Sequence, residues 1–152
     1  MATVGERLEA AGLCLPAVPS PIGAYVAAVR TGSLVFTSGQ LPLLAGELLA
    51  CGVVGRNVTL EDAQACSRQC VLNALAAAAS VCDLDDVARV VKLVGYVASA
   101  DGFSAQPAVI NGASDVLVVA FDEAGRHARE AVGLVALPMG APVEISLVLE
   151  LR

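Results

Sequence analysis

Val143-Glu144-Ile145-Ser146-Leu147-Val148-Leu149-Glu150-Leu151 closes the chain with an apolar residue at every odd position. A period of two belongs to a β-strand with one covered face. It assigns Val143, Ile145, Leu147, Leu149 and Leu151 to a core, and Glu144, Ser146, Val148 and Glu150 to the opposite face. Upstream, Pro138-Met139-Gly140-Ala141-Pro142 is a turn-rich connection from a second apolar run, His127-Ala128-Arg129-Glu130-Ala131-Val132-Gly133-Leu134-Val135-Ala136-Leu137, read as another strand.

Further back, Thr59 has the chemistry of a helix cap, with Glu61 and Asp62 in the first turn where the helix dipole favours negative charge. Ala63, Cys66, Cys70, Ala74, Ala77 and Val81 recur at three- and four-residue steps. That small-residue stripe can lie closely on a sheet, with Gln64, Arg68 and Asn73 expected to face elsewhere and the helix to end near Cys82-Asp83. Residues 87–98 are valine-rich and read as a long strand. Pro107 suits the first turn of a second helix, whose buried stripe is Ile110, Ala113, Leu117 and Ala120, with Asn111, Ser114 and Asp115 polar. Near the start, 24–29 and 34–37 form a predicted hairpin around Thr31-Gly32-Ser33. Thr3-Val4-Gly5-Glu6 has capping-box spacing for a short opening helix in a peripheral N-terminal segment, 1–20. The order hairpin, helix, strand, helix, strand, strand predicts one α/β domain over 1–152, with a mixed sheet and two main helices on one face. The uncovered face should pack against copies of the chain.

Composition narrows the function. Of 152 residues, 57% are hydrophobic and 16% charged, more apolar surface than a chain this size hides within itself, which again predicts a homo-oligomer. The uncharged stretch 10–29 is broken by Pro16, Pro19 and Pro21, so no membrane span is expected. Glu6, Arg7 and Glu9 stand where a signal peptide would be basic and then apolar, so a cytoplasmic location is expected. Nine scattered basic residues and a net charge of −6 disfavour nucleic acid as a partner. The five cysteines include no Cys-x-x-Cys pair. Cys66 and Cys70 could share a helix face, but one histidine and no second ligand pair leave no metal site expected, and they read as buried thiols.

Arg129 and Glu144 are the residues with chemistry to offer. A guanidinium holds a carboxylate through two parallel hydrogen bonds, and a carboxylate on a neighbouring strand could position or deprotonate a water beside the ligand. The same two residue types also make a solvated cross-strand ion pair, and spacing does not choose between these readings. His127, two residues from Arg129, would share its side of a strand, either as a base or as a loop histidine with a structural hydrogen bond.

Three segments together resemble the RidA family, also called the YjgF or endoribonuclease L-PSP family. They are Ile22-Gly23-Ala24-Tyr25 with Leu34-Val35-Phe36-Thr37-Ser38-Gly39-Gln40-Leu41-Pro42, the alanine-rich helix leading to Asp83-Leu84-Asp85-Asp86-Val87, and Ala128-Arg129 through Ala136-Leu137-Pro138 to Pro142-Val143-Glu144-Ile145. The resemblance implies a chorismate-mutase-like fold assembled as a trimer, with ligand clefts between subunits. It implies a hydrolase, a deaminase converting 2-imino or 2-enamino acids to 2-keto acids and ammonia without a cofactor. In that setting Arg129 would bind the carboxylate of a small metabolite and Glu144 would hold the attacking water. Tyr25, Ser38 and Gly39 would line the cleft, and Asn111 would correspond to a helix asparagine of the family.

Departures from the pattern accompany the match. Val26-Ala27 follows Tyr25 where many deaminase members carry Ser-Gln, Ala24 replaces a proline, and His127 stands where proline often precedes Ala-Arg. The stretch 103–111 leading to Asn111 is longer than usual. A divergent member could instead be a non-catalytic module that binds a small carboxylate or regulates a partner. An endoribonuclease, which one family name suggests, fits the acidic charge poorly.

Overall fold

The structure, a computed structural model, describes residues 1–152 except Pro19 and Ile22. Ile22 of the first family segment and Pro19 of the proline-rich stretch therefore lie outside the described residues. The strands are β1 (Ala28–Thr31), β2 (Leu34–Thr37), β3 (Leu43–Leu44), β4 (Glu47–Leu48), β5 (Val87–Ala98), β6 (Ala128–Leu134) and β7 (Val143–Leu151). The helices are α1 (Val4–Ala10), α2 (Leu60–Ala79) and α3 (Gln106–Phe121).

The main sheet runs β1-β2-β7-β5-β6. Only β5 and β6 are parallel, as expected where α3 carries the chain across between them. The other neighbours are antiparallel. β7 lies at the centre, and its alternation is borne out: Val143, Ile145, Leu147, Leu149 and Leu151 are buried beneath the helices, while Glu144, Ser146, Val148 and Glu150 are half-buried on the other face. The structure is thus the mixed α/β fold expected, with two long helices on one side of the sheet.

Close helix packing depends on small residues. A Cβ on Gly112 of α3 would collide with the backbone carbonyl of Gln64 on α2, and one on Gly95 of β5 would run into the Ile110 side chain. Two glycines therefore let α3 lie against both its neighbours. Thr59 caps α2 by accepting from the Asp62 N–H. The capping box of Thr3 and Glu6 is formed on α1, where Val4 and Leu8 are buried and Arg7 donates to the Ala120 carbonyl at 2.9 Å.

Four details differ from the reading of the sequence. The first hairpin strand begins at Ala28, not Ala24, because its pairing with β2 ends at Ala28 opposite Thr37, leaving Tyr25 and Val26 exposed in a bend. Helix α2 stops at Ala79, capped by Ser80, short of residues 82–83. A two-residue hairpin, β3–β4, was not expected; it turns at Ala45 and Gly46, both with positive φ. Asn73, assigned to an outer face, is buried. Its amide donates to the carbonyls of Leu41 and Leu43, each at 2.9 Å, and accepts from Gln69, because the loop folded over α2 has backbone carbonyls that need a donor.

The face of the sheet away from the helices carries exposed Val29, Phe36, Val132 and Leu134 beside half-buried Val94, Tyr96 and Val148. An ion pair crosses it, Lys92 to Glu130 at 2.7 Å. Among the described residues no helix is long and apolar enough to cross a membrane.

Candidate functional site

Arg129 is the second residue of β6 and pairs with Leu93 of β5, whose side chain lies under the helices. Its side chain therefore turns toward α3. Nη1 donates to Asn111 Oδ1 at 2.8 Å and to Ser114 Oγ at 3.2 Å, and Nη2 donates to the Pro107 carbonyl at 3.4 Å. These partners lie one turn apart along α3, so a single helix face holds the guanidinium. A guanidinium has five N–H donors; with three engaged among the described residues, two remain. Arg129 is half-buried, which shields it from solvent without closing it off.

Behind the arginine stands His127, whose Nδ1 is 2.6 Å from the Gly125 carbonyl and whose Nε2 is 3.0 Å from Ser114 Oγ. The loop-histidine reading is the one this geometry matches.

Glu144 lies elsewhere. It faces Tyr96 of β5 across the pairing of β5 and β7, on the helix-free face, and β5 separates β7 from β6. The expectation that the strands of Arg129 and Glu144 adjoin is corrected: one strand intervenes and the two side chains emerge on opposite faces. Its carboxylate rests against Gly39, where a Cβ would come within 2.7 Å of Oε1. No hydrogen bond or ion pair reaches that carboxylate among the described residues, and burial pushes its pKa above the ordinary carboxylate value.

Around Glu144 the other expected residues do gather. Ser38-Gly39-Gln40 continues past the end of β2 and bridges to Ile145 through Gln40. Ser38 Oγ donates to the Val26 carbonyl at 2.7 Å, and Ser38 N–H to the Ala27 carbonyl at 2.8 Å, so this loop holds the segment bearing Tyr25. Tyr25, Ala27, Gly39, Leu41, Leu43 and Met139 line a hollow of about 90 Å³. Buried Asn73 fixes its Leu41 and Leu43 wall.

The candidate residues thus form two clusters on one chain: Arg129 with Asn111, and Glu144 with Gly39, Ser38 and Tyr25. Ser114 and the Pro107 carbonyl complete the first and were not singled out from the sequence. Ser114 carried a usable signal, since it lies three residues after Asn111, a spacing that stacks two polar groups on one helix face. Cys66 and Cys70 are core residues. Burial and the Asp62 charge push the Cys66 thiol up to about 11, and burial raises Cys70 well above its ordinary value, so neither is a ready thiolate. No three potential metal-ligating side chains converge among the described residues.

An α/β fold with a mixed sheet covered by two helices on one side, and with a half-buried arginine on the edge strand and a half-buried carboxylate on the opposite face of the central strand, defines the class. The profile of the family described as "YjgF/chorismate_mutase-like, putative endoribonuclease" matches residues 5–151, so the chain belongs to that family, the one its motifs resemble. Protein TCP17 of Trypanosoma cruzi is 41% identical over 153 residues, spanning 98% of this chain and 94% of that one. The crystal structure of Atu1372 from Agrobacterium tumefaciens, 41% identical, superposes with a TM-score of 0.90 over 98% of this chain and 92% of its own. That of E. coli TdcF, solved with serine bound, is 29% identical, with a TM-score of 0.61 over 89% of this chain and 93% of its own.

Proposed function

We propose that the protein is a cytoplasmic homotrimeric deaminase of RidA type, hydrolysing 2-imino and 2-enamino acids to 2-keto acids and ammonia in clefts between subunits. The observation that carries this reading is Arg129, held by Asn111, Ser114 and the Pro107 carbonyl with two N–H donors to spare. Those donors suit the carboxylate of a small metabolite. Because Glu144 lies on the opposite face of the same sheet, a complete site draws Arg129 and Asn111 from one copy and Glu144, Gly39, Ser38 and Tyr25 from another. The apolar helix-free face is a surface on which copies would associate. The serine bound to TdcF supports a small ligand carrying a carboxylate.

The chemistry asks for little beyond orientation. A protonated C=N group is already electrophilic. Water adds to its carbon while Glu144 takes one water proton; Glu144 returns that proton to the carbinolamine nitrogen, which leaves as ammonia as the hydroxyl gives its proton to the Glu144 carboxylate and the carbon becomes the keto carbonyl. A carboxylate with a raised pKa is a better base for that transfer than an ordinary one. Arg129 contributes by fixing the substrate carboxylate, so that the carbon meets the water in one geometry.

The test is keto-acid release from imines generated in situ by an amino-acid oxidase, with wild type and Arg129→Ala compared. Acceleration by wild type that the variant lacks supports the deaminase. A folded, oligomeric wild type that accelerates no small, acidic or aromatic imine overturns it. Val26 and Ala27, which leave the segment after Tyr25 without polar side chains, favour a second reading, a module that binds a carboxylate without turnover. Binding that depends on Arg129, with no acceleration, is its signature.

A further inference from the structure

His127 is the one histidine of the chain, and it stands behind Arg129, not beside Glu144. Its hydrogen-bond directions follow from its partners. The Gly125 carbonyl only accepts, so Nδ1, 2.6 Å away, carries the proton; in the neutral ring Nε2 is then an acceptor, and the Ser114 hydroxyl at 3.0 Å donates to it. With its hydrogen committed, Ser114 Oγ turns a lone pair toward Arg129 Nη1 at 3.2 Å. The chain is directed throughout: guanidinium to hydroxyl, hydroxyl to imidazole, imidazole to backbone.

Its far end is rigid. Gly125 is buried against α3 so closely that a Cβ there would collide with the Leu117 carbonyl and come within 3.0 Å of Val118 Cα. Without the histidine the Ser114 hydroxyl is free to rotate toward a carbonyl of its own helix, as serine in helices does. Asn111 alone would then orient Nη1.

Taking the carboxylate-binding role of Arg129 as read above, we infer that His127 is a positioning residue: through Ser114 it sets the orientation of the Arg129 guanidinium, and so the affinity for the substrate carboxylate. It touches neither ligand nor reacting atoms. Its contribution falls equally on bound substrate and transition state, so its loss raises KM and leaves kcat nearly unchanged.

Three measurements on the full-length oligomer test it, with pyruvate as the carboxylate probe and oxidase-generated imines as substrate. His127→Ala should weaken pyruvate binding and raise KM about five- to tenfold, the size of one net hydrogen bond, with kcat and Tm little changed. His127→Ala combined with Ser114→Ala should be no worse than Ser114→Ala alone. Additive losses, or unchanged binding in a folded His127→Ala variant, overturn the inference. Should His127→Ala fail to fold, Ser114→Thr and Ser114→Val decide, since they differ in shape by little more than the hydroxyl: Thr should keep affinity and Val lose it, and equal affinities overturn the inference. The third measurement stands apart from any ligand. Nitrogen-15 NMR of the one imidazole should show the Nδ1–H tautomer in wild type, and the Nε2–H tautomer would overturn the inference. If wild type and Arg129→Ala bind pyruvate equally while the tautomer is as expected, it is the role of Arg129 that fails.

Discussion

Two regions carry the candidate chemistry, and they are held in opposite ways. Arg129 is gripped by three groups on one face of α3, one of which, Ser114, is backed in turn by His127. Glu144 leans over Gly39 with no partner among the described residues, beside a hollow that the segment bearing Tyr25 and the Gly39 loop help to wall. A cation meant to hold one carboxylate gains from being fixed before the ligand arrives, since less freedom is lost on binding. A base that must exchange protons with water gains from being unpaired, because an ion pair would stabilise its charge and weaken it. On the proposed reading, the held arginine is the binding half and the unpaired carboxylate the reacting half of one composite site.

The largest expected effect breaks the Arg129 half outright. Arg129→Ala should lower affinity for pyruvate about a hundredfold or more, the scale of two charge-assisted hydrogen bonds, with little change in Tm. Arg129→Lys should not restore it, because a single ammonium cannot reproduce the fork. Titration calorimetry on both variants checks this.

Next comes the frame behind that half. Gly112→Ala drives a methyl into the Gln64 carbonyl and must push α3 off α2. It should cost about 1–3 kcal/mol in a denaturant melt, as overpacking of close contacts does, and carry Arg129 with it. A variant of unchanged stability would mean that α3 is less tightly seated than the structure has it.

The third effect falls on the Glu144 half. Gly39→Ala presses on the Glu144 side chain from its Cγ to its carboxylate, a flexible group that can shift, so Tm should stay within about 2 °C. The imine-hydrolysis rate should fall about tenfold, the lower range for a misplaced general base. Affinity for pyruvate should hold, which separates the two clusters by function.

The smallest is a pH dependence. The Glu144 carboxyl is raised in the folded state by desolvation, so the fold favours its neutral form. Its favourable contribution is full below the unfolded carboxylate pKa and is lost as pH rises through the raised folded value. At neutral pH Glu144→Gln should therefore be slightly more stable than wild type, and the advantage should vanish on acidification. Chemical melts at neutral pH and at pH about 4, near the unperturbed carboxylate value, read the difference; an advantage that grew on acidification would contradict the unpaired state of Glu144.

Much of this architecture was legible in the sequence, for local reasons. Strict alternation at 143–151 put five side chains on one face because a strand has a period of two, and Thr59 and the capping box at Thr3 placed helix starts because free N–H groups need acceptors. Tyr25, Ser38, Gly39, Asn111, Arg129 and Glu144 were named from motifs. Helix spacing misled at Asn73, where a loop arriving from 30 residues away supplied the carbonyls that bury its amide.

What periodicity cannot contain is strand order. It says which residues of one strand share a face, and the pairing of β5 with both β6 and β7 then decides that Arg129 and Glu144 lie two strands apart and on opposite sides. Hydrogen bonding between strands is a long-range choice, set by which apolar faces the helices can cover together. The sequence by itself therefore determined the main elements, the family and the chemical types of the candidate residues. Only the tertiary structure set the Arg129 and Glu144 clusters apart on opposite faces of the sheet, and placed His127 behind the arginine.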